Sequence, residues 1–285
     1  MVSKTNKINM KKTLFLLLFL SQYCTLILAQ ADKKYYFITW GYNNSAYAKS
    51  DIHFSGEGYK FTLENVAAKD RQTPLDGKSL FGTYLNIKAL TIPQFNCHFG
   101  KRLSEKWAVM VGWDHMKYVM TTNQDVKIRG TINQNVSSPA IDTKGFAGVY
   151  DGQTIKLSPD FLTFEHTDGY NVVSVDVERY FSLYRADYQH FSILGTLGAG
   201  VAMVVPRSDV RLFGVGANHP WNISGEGVLL KTGLQIHFTK RLFLEAVGKM
   251  GYTYLHAIPT TGRKSDKATQ GIGFVEGVLQ LGFKL

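Results

Sequence analysis

The stretch VEGVLQLGFKL, residues 275–285, alternates large apolar side chains with polar or small ones along its whole length. Val275, Leu279 and Phe283 fall on one face, and Glu276 and Gln280 fall on the other. Because neighbouring side chains on a β-strand point to opposite sides of the sheet, this period of two predicts a strand with one apolar and one polar face. The same test along the chain decides the fold class.

Seven further stretches show the same alternation. With the last one, the predicted strands lie near residues 36–42, 95–103, 107–113, 173–181, 191–205, 228–238, 242–254 and 275–285. The connections alternate in length, with short turns near 104–106, 184–189 and 239–240. The long excursions run near 44–88, 120–168, 207–225 and 257–271. The pattern predicts an all-β, antiparallel, up-and-down barrel of eight strands, with ten as the alternative count.

The wide apolar faces raise the question of what they contact. Past residue 31 the sequence has no long apolar run, but a transmembrane barrel distributes its hydrophobicity over alternating positions. Tyr, Trp and Phe near strand ends suit interfacial girdles, and the short and long connections suit periplasmic turns and outer loops. A soluble sandwich or lipocalin-like barrel, with its charged face in water, is the alternative interpretation.

The N-terminal residues indicate export. Four lysines precede a short apolar run at 13–20, and Ala29-Gln30-Ala31 provides a small-residue cleavage site, which together predict a signal peptide over 1–31. The remaining residues, 32–285, then form a single barrel domain, and the formal charge falls from +10 to +6. Cys97 is the cysteine left in that domain, so no internal disulfide is expected. The sequence has no helical nucleic-acid motif, and we expect no nucleic-acid partner.

Several segments carry a family resemblance. The strands, the connection lengths and the ending LQLGFKL at 279–285 resemble the small single-chain outer-membrane β-barrels of Gram-negative bacteria. The segments SDIHFSGEGYKFTL (50–63), WDHMKYVM (113–120) and FEHTDGYN (164–171) resemble those of Bacteroidetes-type barrels. The resemblance implies the outer membrane, contact with lipopolysaccharide and phospholipid, and insertion by the barrel-assembly machinery. Leu285 departs from the terminal aromatic residue usual in such barrels.

If the apolar faces meet lipid, the opposite faces line the interior. Four bases and five acids occupy those faces: Arg102, Lys231, Lys249 and Lys284 with Asp114, Asp176, Glu178, Glu245 and Glu276. An eight-stranded barrel is only wide enough for its side chains to fill it, and unpaired buried charge is costly. The sequence therefore predicts an interior plugged by a paired charge network, with a small polar pore as the alternative.

The stretch WDHMKYVM places an acid beside a histidine. Asp114 and His115 are neighbours on a predicted strand, so they face opposite sides and cannot form a dyad. Parity puts Asp114 inside with Met116 and Tyr118. His115 and Lys117 are expected outside, at the level of the lipid headgroups.

The long excursions hold the candidates for catalysis. A lipid-A or phospholipid acyl hydrolase or acyltransferase could assemble at the rim from His53, Asp51, His115, His166 and Asp168, with a serine such as Ser50 or Ser158 as nucleophile. No G-x-S-x-G, H-E-x-x-H or paired C-x-x-C motif supports it, and histidines of polar loops are more often solvated or capping. We expect no cofactor and no metal site. A structural or binding barrel is the preferred function, and an unknown extracellular ligand is compatible with it.

Overall fold

The computed structural model describes residues 34–186 and 191–285, so the predicted signal peptide lies outside the described residues. The described strands are β1 (Tyr35–Tyr47), β2 (Ser50–Gly56), β3 (Tyr59–Val66), β4 (Ala68–Lys69), β5 (Phe95–Arg102), β6 (Trp107–Met120), β7 (Asp125–Ile132), β8 (Asn135–Val136), β9 (Ile141–Asp142), β10 (Gly148–Lys156), β11 (Leu162–Arg185), β12 (Ser192–Val204), β13 (Asp209–Leu212), β14 (Val215–Asn218), β15 (Gly225–His237), β16 (Leu242–Pro259) and β17 (Lys267–Lys284). Between β4 and β5 lie a helical turn α1 (Gly77–Ser79), a π-helical turn (Leu80–Tyr84) and a 3-10 turn (Ile87–Ala89). No helix within the described ranges is long and apolar enough to cross a membrane.

Eight of the strands form a closed ring. They follow one another in the order β1, β5, β6, β11, β12, β15, β16 and β17, and every neighbouring pair is antiparallel. β17 pairs back onto β1 from Phe37↔Lys284 to Tyr47↔Phe274, which closes the sheet. The predicted up-and-down antiparallel barrel is confirmed, with eight strands in the ring rather than ten.

The exposure pattern of the barrel is inverted relative to a soluble protein. Every ring strand exposes large apolar side chains on its outer face; examples in ring order are Ile38, Phe99, Val111, Val175, Leu197, Leu230, Met250 and Leu279. Aromatic residues lie outward near both ends of this surface, such as Tyr36 and Phe181 at one end and Tyr252 and Tyr254 at the other. We call this outer surface the apolar belt. The charged and amide side chains point into the barrel and are buried.

A second body of structure covers the end of the barrel to which the long excursions belong. β2 continues the ring above β1 by pairing with the start of β17, and β3, β7 and β10 follow it in order. On another side β13 pairs with the start of β11, and β14 pairs with β13. We call these elements, together with the upper ends of the ring strands, the cap.

The cap has its own apolar core. Phe61, Tyr118, Phe164 and Phe213 are almost fully buried in it, and they belong to excursions and barrel strands alike. Burying one Phe side chain contributes roughly 1.5–3 kcal/mol, so this core holds the excursions onto the barrel. The long excursions connect the ring strands where the sequence predicts them, and much of their length is ordered as strands of the cap, as at β3.

Candidate functional site

The middle of the barrel interior contains a charged cluster around Lys249. Its ammonium group lies 2.7 Å from Asp114 Oδ2 and 3.5 Å from Glu276 Oε2. The Asn96 amide bridges both acids, donating to Asp114 Oδ1 at 2.5 Å and to Glu276 Oε1 at 2.8 Å. All four side chains are buried. Asn96 and Asp114 are paired on β5 and β6, and they face Lys249 and Glu276, which are paired on β16 and β17. The cluster therefore ties the ring together across its interior.

A second cluster surrounds Lys231. Its ammonium group lies 3.0 Å from Glu178 Oε1 and 3.2 Å from Asp176 Oδ2. Ser174 donates to Asp176 at 2.9 Å, and the Tyr180 hydroxyl donates to Glu178 at 2.6 Å. Each carboxylate thus receives a donor besides the ammonium group, as a buried ion pair requires.

The predicted nine-residue network is divided in the structure. Seven of its members lie in or beside the two clusters. Two ammonium groups face five carboxyl groups in these clusters, so the near balance of charge predicted for the interior does not hold in the middle of the barrel. Amide donors supply part of the difference, since Gln235 and Gln280 both donate to Glu245. Arg102 lies near the lower end of the barrel and donates to the carbonyls of Ser104 and Glu105. A guanidinium at a strand end reaches turn carbonyls more easily than the mid-barrel acids.

Apolar layers lie above and below the charged clusters. Below them, Phe37, Met110, Tyr180 and Phe243 form a buried cluster, and the Arg102 guanidinium lies 3.4 Å from the centroid of the Tyr180 ring. Above them is the core of the cap. A cavity between the clusters has a volume of about 10 Å³, which suits a single water molecule. The described interior is thus filled at three levels.

The lower mouth of the barrel is open and basic. A cavity of about 510 Å³ there is lined by Arg102, Lys106, Arg185 and Lys284, with Tyr35 and His237 among its other walls. Lys284, the ninth member of the predicted network, is half-buried, and its ammonium group lies 5.0 Å from the centroid of the Tyr35 ring. Lys284 therefore belongs to this mouth rather than to the central clusters.

The residues of WDHMKYVM point as parity predicts, but His115 is not exposed. Asp114 faces Lys249 inside, whereas His115 lies on the outer face and is 7% exposed. The Phe95 ring stacks on the imidazole with centroids 5.0 Å apart, and His115 Nδ1 lies 2.9 Å from Asn171 Oδ1. His115 thus lies on the outer side, as predicted, but an aromatic cluster on the outer wall covers its ring.

The candidate catalytic residues remain apart. His53 bonds to Thr62 and Asp51 accepts from the Asn65 amide, both at 2.8 Å. Asp168 accepts from Asn218 at 2.7 Å. Among the described residues, no hydrogen bond or ion pair joins any two of the candidates His53, Asp51, His115, His166 and Asp168. Within the same ranges, no group of three or more His, Cys, Asp or Glu side chains could hold a metal ion.

His166 is the one candidate with a serine partner. Its Nδ1 lies 2.8 Å from Ser208 Oγ inside the cap, and both residues are completely buried. The rings of Tyr118, Phe164 and Tyr170 surround it. Burial lowers the pKa of His166 to about 3. A substrate has no access to this pair, so the arrangement is that of a cap core and not of a catalytic site.

The predicted charge network left out the amide residues that complete it. Asn96, Gln235 and Gln280 stand at inward positions of predicted strands, and the parity rule alone could have found them. Sequence reasoning also missed that residues 72–93 pack against the outer barrel wall, because that segment has neither a period of two nor a helical period.

Comparisons with known proteins give weak structural similarities. The chain is similar to the outer membrane protein OprG from Pseudomonas aeruginosa, with 8% identity, a TM-score of 0.39, and coverage of 90% of this chain and 98% of that chain. It is also similar to Ail, the attachment invasion locus protein of Yersinia pestis, with 13% identity, a TM-score of 0.32, and coverage of 90% and 100%. A structure of Ail in complex with the heparin analogue sucrose octasulfate gives 12% identity, a TM-score of 0.30, and coverage of 89% and 100%. No family model and no curated protein matches the sequence.

Proposed function

We propose that this chain is a sealed β-barrel of the Gram-negative outer membrane, with a structural or binding role carried by its outer cap. Export by a signal peptide at 1–31, insertion by the barrel-assembly machinery and contact with lipopolysaccharide and phospholipid belong to the same proposal. The short turns and both ends of the barrel domain then lie on the periplasmic side, and the cap lies outside the cell.

The observation that carries the proposal is the inverted exposure of the ring. Val111 is 52% exposed on the outer face, while Asp114, three residues along the same strand, is 1% exposed inside. A soluble barrel would place the acid outside and the valine inside. Contiguous apolar surfaces larger than a few hundred Å² are rare on soluble monomers, and this belt surrounds the whole ring.

A sealed barrel is favoured over a pore by the contents of the interior. Two charged clusters, an apolar layer below them and the cap core above them fill its length. An ion crossing the barrel would have to displace buried, hydrogen-bonded side chains. The chain then crosses the bilayer as a rigid barrel with an ordered outer cap, and no aqueous path leads through the barrel.

A binding role is favoured by the edge of the cap. β10 pairs with β7 and, among the described strands, with no other. Its second edge offers backbone N–H and C=O groups in the arrangement that an extended segment of a partner can pair with.

The test is to express the full chain in a Gram-negative host and separate the membranes. The protein should appear in the outer-membrane fraction, and unheated samples should migrate faster on a denaturing gel than boiled samples. Planar-bilayer recordings of the purified barrel should show no steady conductance. Recovery in the soluble periplasmic fraction would refute the membrane barrel, and a large steady conductance would refute the seal.

A further inference from the structure

Residues 72–93 form a segment that lies against the outer wall of the barrel, and we call it the apron. The Tyr42 hydroxyl on β1 donates to the Tyr84 carbonyl at 2.5 Å, and the Tyr84 hydroxyl donates to the Thr73 carbonyl at 2.6 Å. At the start of the segment, Asp70 accepts from the Ser45 amide at 2.8 Å. The ammonium group of Lys117 on β6 donates to the Ile92 carbonyl at 3.0 Å. The apron is thus attached to the wall at both ends and in its middle.

The apron exposes more apolar surface than a soluble segment of its length would. Its most exposed large apolar side chains are Leu75, Phe81, Leu85, Ile87 and Ile92. Leu75 is 79% exposed and Ile87 is 85% exposed. A short segment with such a surface, held beside an apolar belt, suits the boundary between headgroups and acyl chains.

A groove of about 870 Å³ runs between the apron and the wall. Its roof includes Leu75, Leu80 and Leu85 of the apron. Its floor includes two outward glycines, Gly248 on β16 and Gly277 on β17, which are directly paired in the sheet. A Cβ atom at either glycine would meet nothing within 4 Å.

The floor is a notch in the belt. Along the same outward faces, the next residues are Ala246 and Met250 on β16 and Val275 and Leu279 on β17, all of them exposed and larger than glycine. The glycine pair therefore lowers the wall where the apron crosses it. A polar side chain borders the groove, since Asn44 is exposed on β1 and stands opposite Gly277.

From this geometry we propose that the groove holds one acyl chain of an outer-leaflet lipid, with the lipid headgroup against Asn44. This inference rests on the proposed function, since it requires the belt to lie in a bilayer. The groove is continuous with the belt, so an acyl chain enters it from the membrane without crossing water. The lining of the groove is mostly apolar, so an acyl chain finds surroundings there like those in the bilayer. The apron adds van der Waals contacts on a second side of the acyl chain.

The experiment uses the full-length barrel in vesicles of phosphatidylethanolamine that carries a photoreactive diazirine on one acyl chain. The variant Gly248→Trp fills the notch, and Leu85→Gln makes the roof polar without touching the wall. Ala199→Trp, at an exposed outward position of β12 away from the apron, is the matched control. After photolysis, labelled peptides are quantified by mass spectrometry.

We expect label at 72–85 and at the facing residues of β16 and β17 in the wild type, about tenfold above the rest of the belt. Gly248→Trp and Leu85→Gln should reduce this to the background level of the belt, while Ala199→Trp should retain it. Even labelling around the belt that Gly248→Trp does not change would overturn the inference. A dimer in native mass spectrometry that Gly248→Trp abolishes would also overturn it, because a second copy of the chain would then occupy the groove. A folded barrel without groove label contradicts the acyl-chain site alone, whereas a chain that never enters the outer membrane contradicts the proposed function.

Discussion

The ammonium group of Lys249 lies 2.7 Å from Asp114 Oδ2 in the middle of the closed barrel, and both side chains are almost completely removed from water. Asp114 comes from β6 and Lys249 from β16, so the pair spans the interior rather than joining neighbours in the sheet. The proposed function rests on this arrangement, because charges buried in the middle of the barrel occupy space that a pore would need.

Removing one partner of this pair should destabilise the barrel strongly. Asp114→Ala leaves the Lys249 ammonium group beside Glu276 alone, and breaking a buried pair typically costs about 3–5 kcal/mol. The double variant Asp114→Leu with Lys249→Met should cost less than Asp114→Ala, because it leaves neither of these charges buried. Urea unfolding in detergent micelles measures both changes.

The control for this pair is Asp151→Ala, which removes an exposed partner of Arg129 in the cap. Exposed ion pairs contribute little to stability, so its unfolding midpoint should match that of the wild type. Equal losses from Asp114→Ala and Asp151→Ala would contradict a sealed, dry interior.

A charge on the apolar belt should be costly only where lipid contacts it. Val111→Arg places a guanidinium on the outer face of β6, and an arginine near the midplane of a lipid-facing strand costs about 2–4 kcal/mol. Val149→Arg introduces the same change on β10, where Val149 is 80% exposed in the cap, and should be nearly neutral. Unfolding measured in lipid vesicles distinguishes them, and a nearly neutral Val111→Arg would indicate that the outer face meets water.

The outer-wall histidine should matter for folding. His115→Ala removes the stack on Phe95 and the hydrogen bond to Asn171, and we expect a loss of about 1–2 kcal/mol. His53→Ala, at an exposed position of β2, should change the free energy of unfolding by no more than about 0.5 kcal/mol. A His115→Ala barrel that unfolds like the wild type would show that the aromatic cluster adds nothing to stability.

Acid should loosen the cap through His166. Burial lowers the pKa of His166 from 6.5 to about 3, so the open cap binds a proton that the closed cap excludes. The contribution of this residue to cap stability is complete above pH 6.5 and falls as the pH drops toward 3, by about 1.4 kcal/mol for each pH unit. Hydrogen exchange of the 162–166 amides at pH 7.5 and 4.5, corrected for intrinsic rates, should show this loss.

The control for the acid effect is the double variant His166→Phe with Ser208→Ala, which replaces the buried polar pair with apolar groups. Its cap should lose much less stability between the two pH values, because the titrating group is gone. An equal pH dependence in the wild type and the double variant would assign the acid sensitivity to other residues.

The ring strands could be predicted from the sequence because each has an apolar outer face and a polar inner face. VEGVLQLGFKL shows the principle: Glu276 and Gln280 point inward, and Leu279 points outward. Asp114 could be assigned to the interior for the same reason. Strand number followed from counting such stretches.

The cap could not be predicted in the same way. Its strands are short, and side chains such as Phe61 and Phe213 become buried through contacts between distant excursions that no local period records. Arg102 was assigned to the interior by parity, but its hydrogen bonds depend on the turn that follows it. The apron is held by tyrosine hydroxyls on carbonyl groups, an arrangement that leaves no pattern in the sequence.

The central claim is that the belt faces lipid and the charged face is sealed inside. Nitroxide labels on single cysteines along β16, in a Cys97→Ser background and in vesicles, test it most directly. At Leu244, Ala246 and Met250 the labels should collide freely with oxygen and be shielded from a water-soluble nickel complex. At Glu245 and Lys249 they should be immobile and shielded from both. Strong collision with the nickel complex at Leu244 and Met250 would place the belt in water and contradict the account.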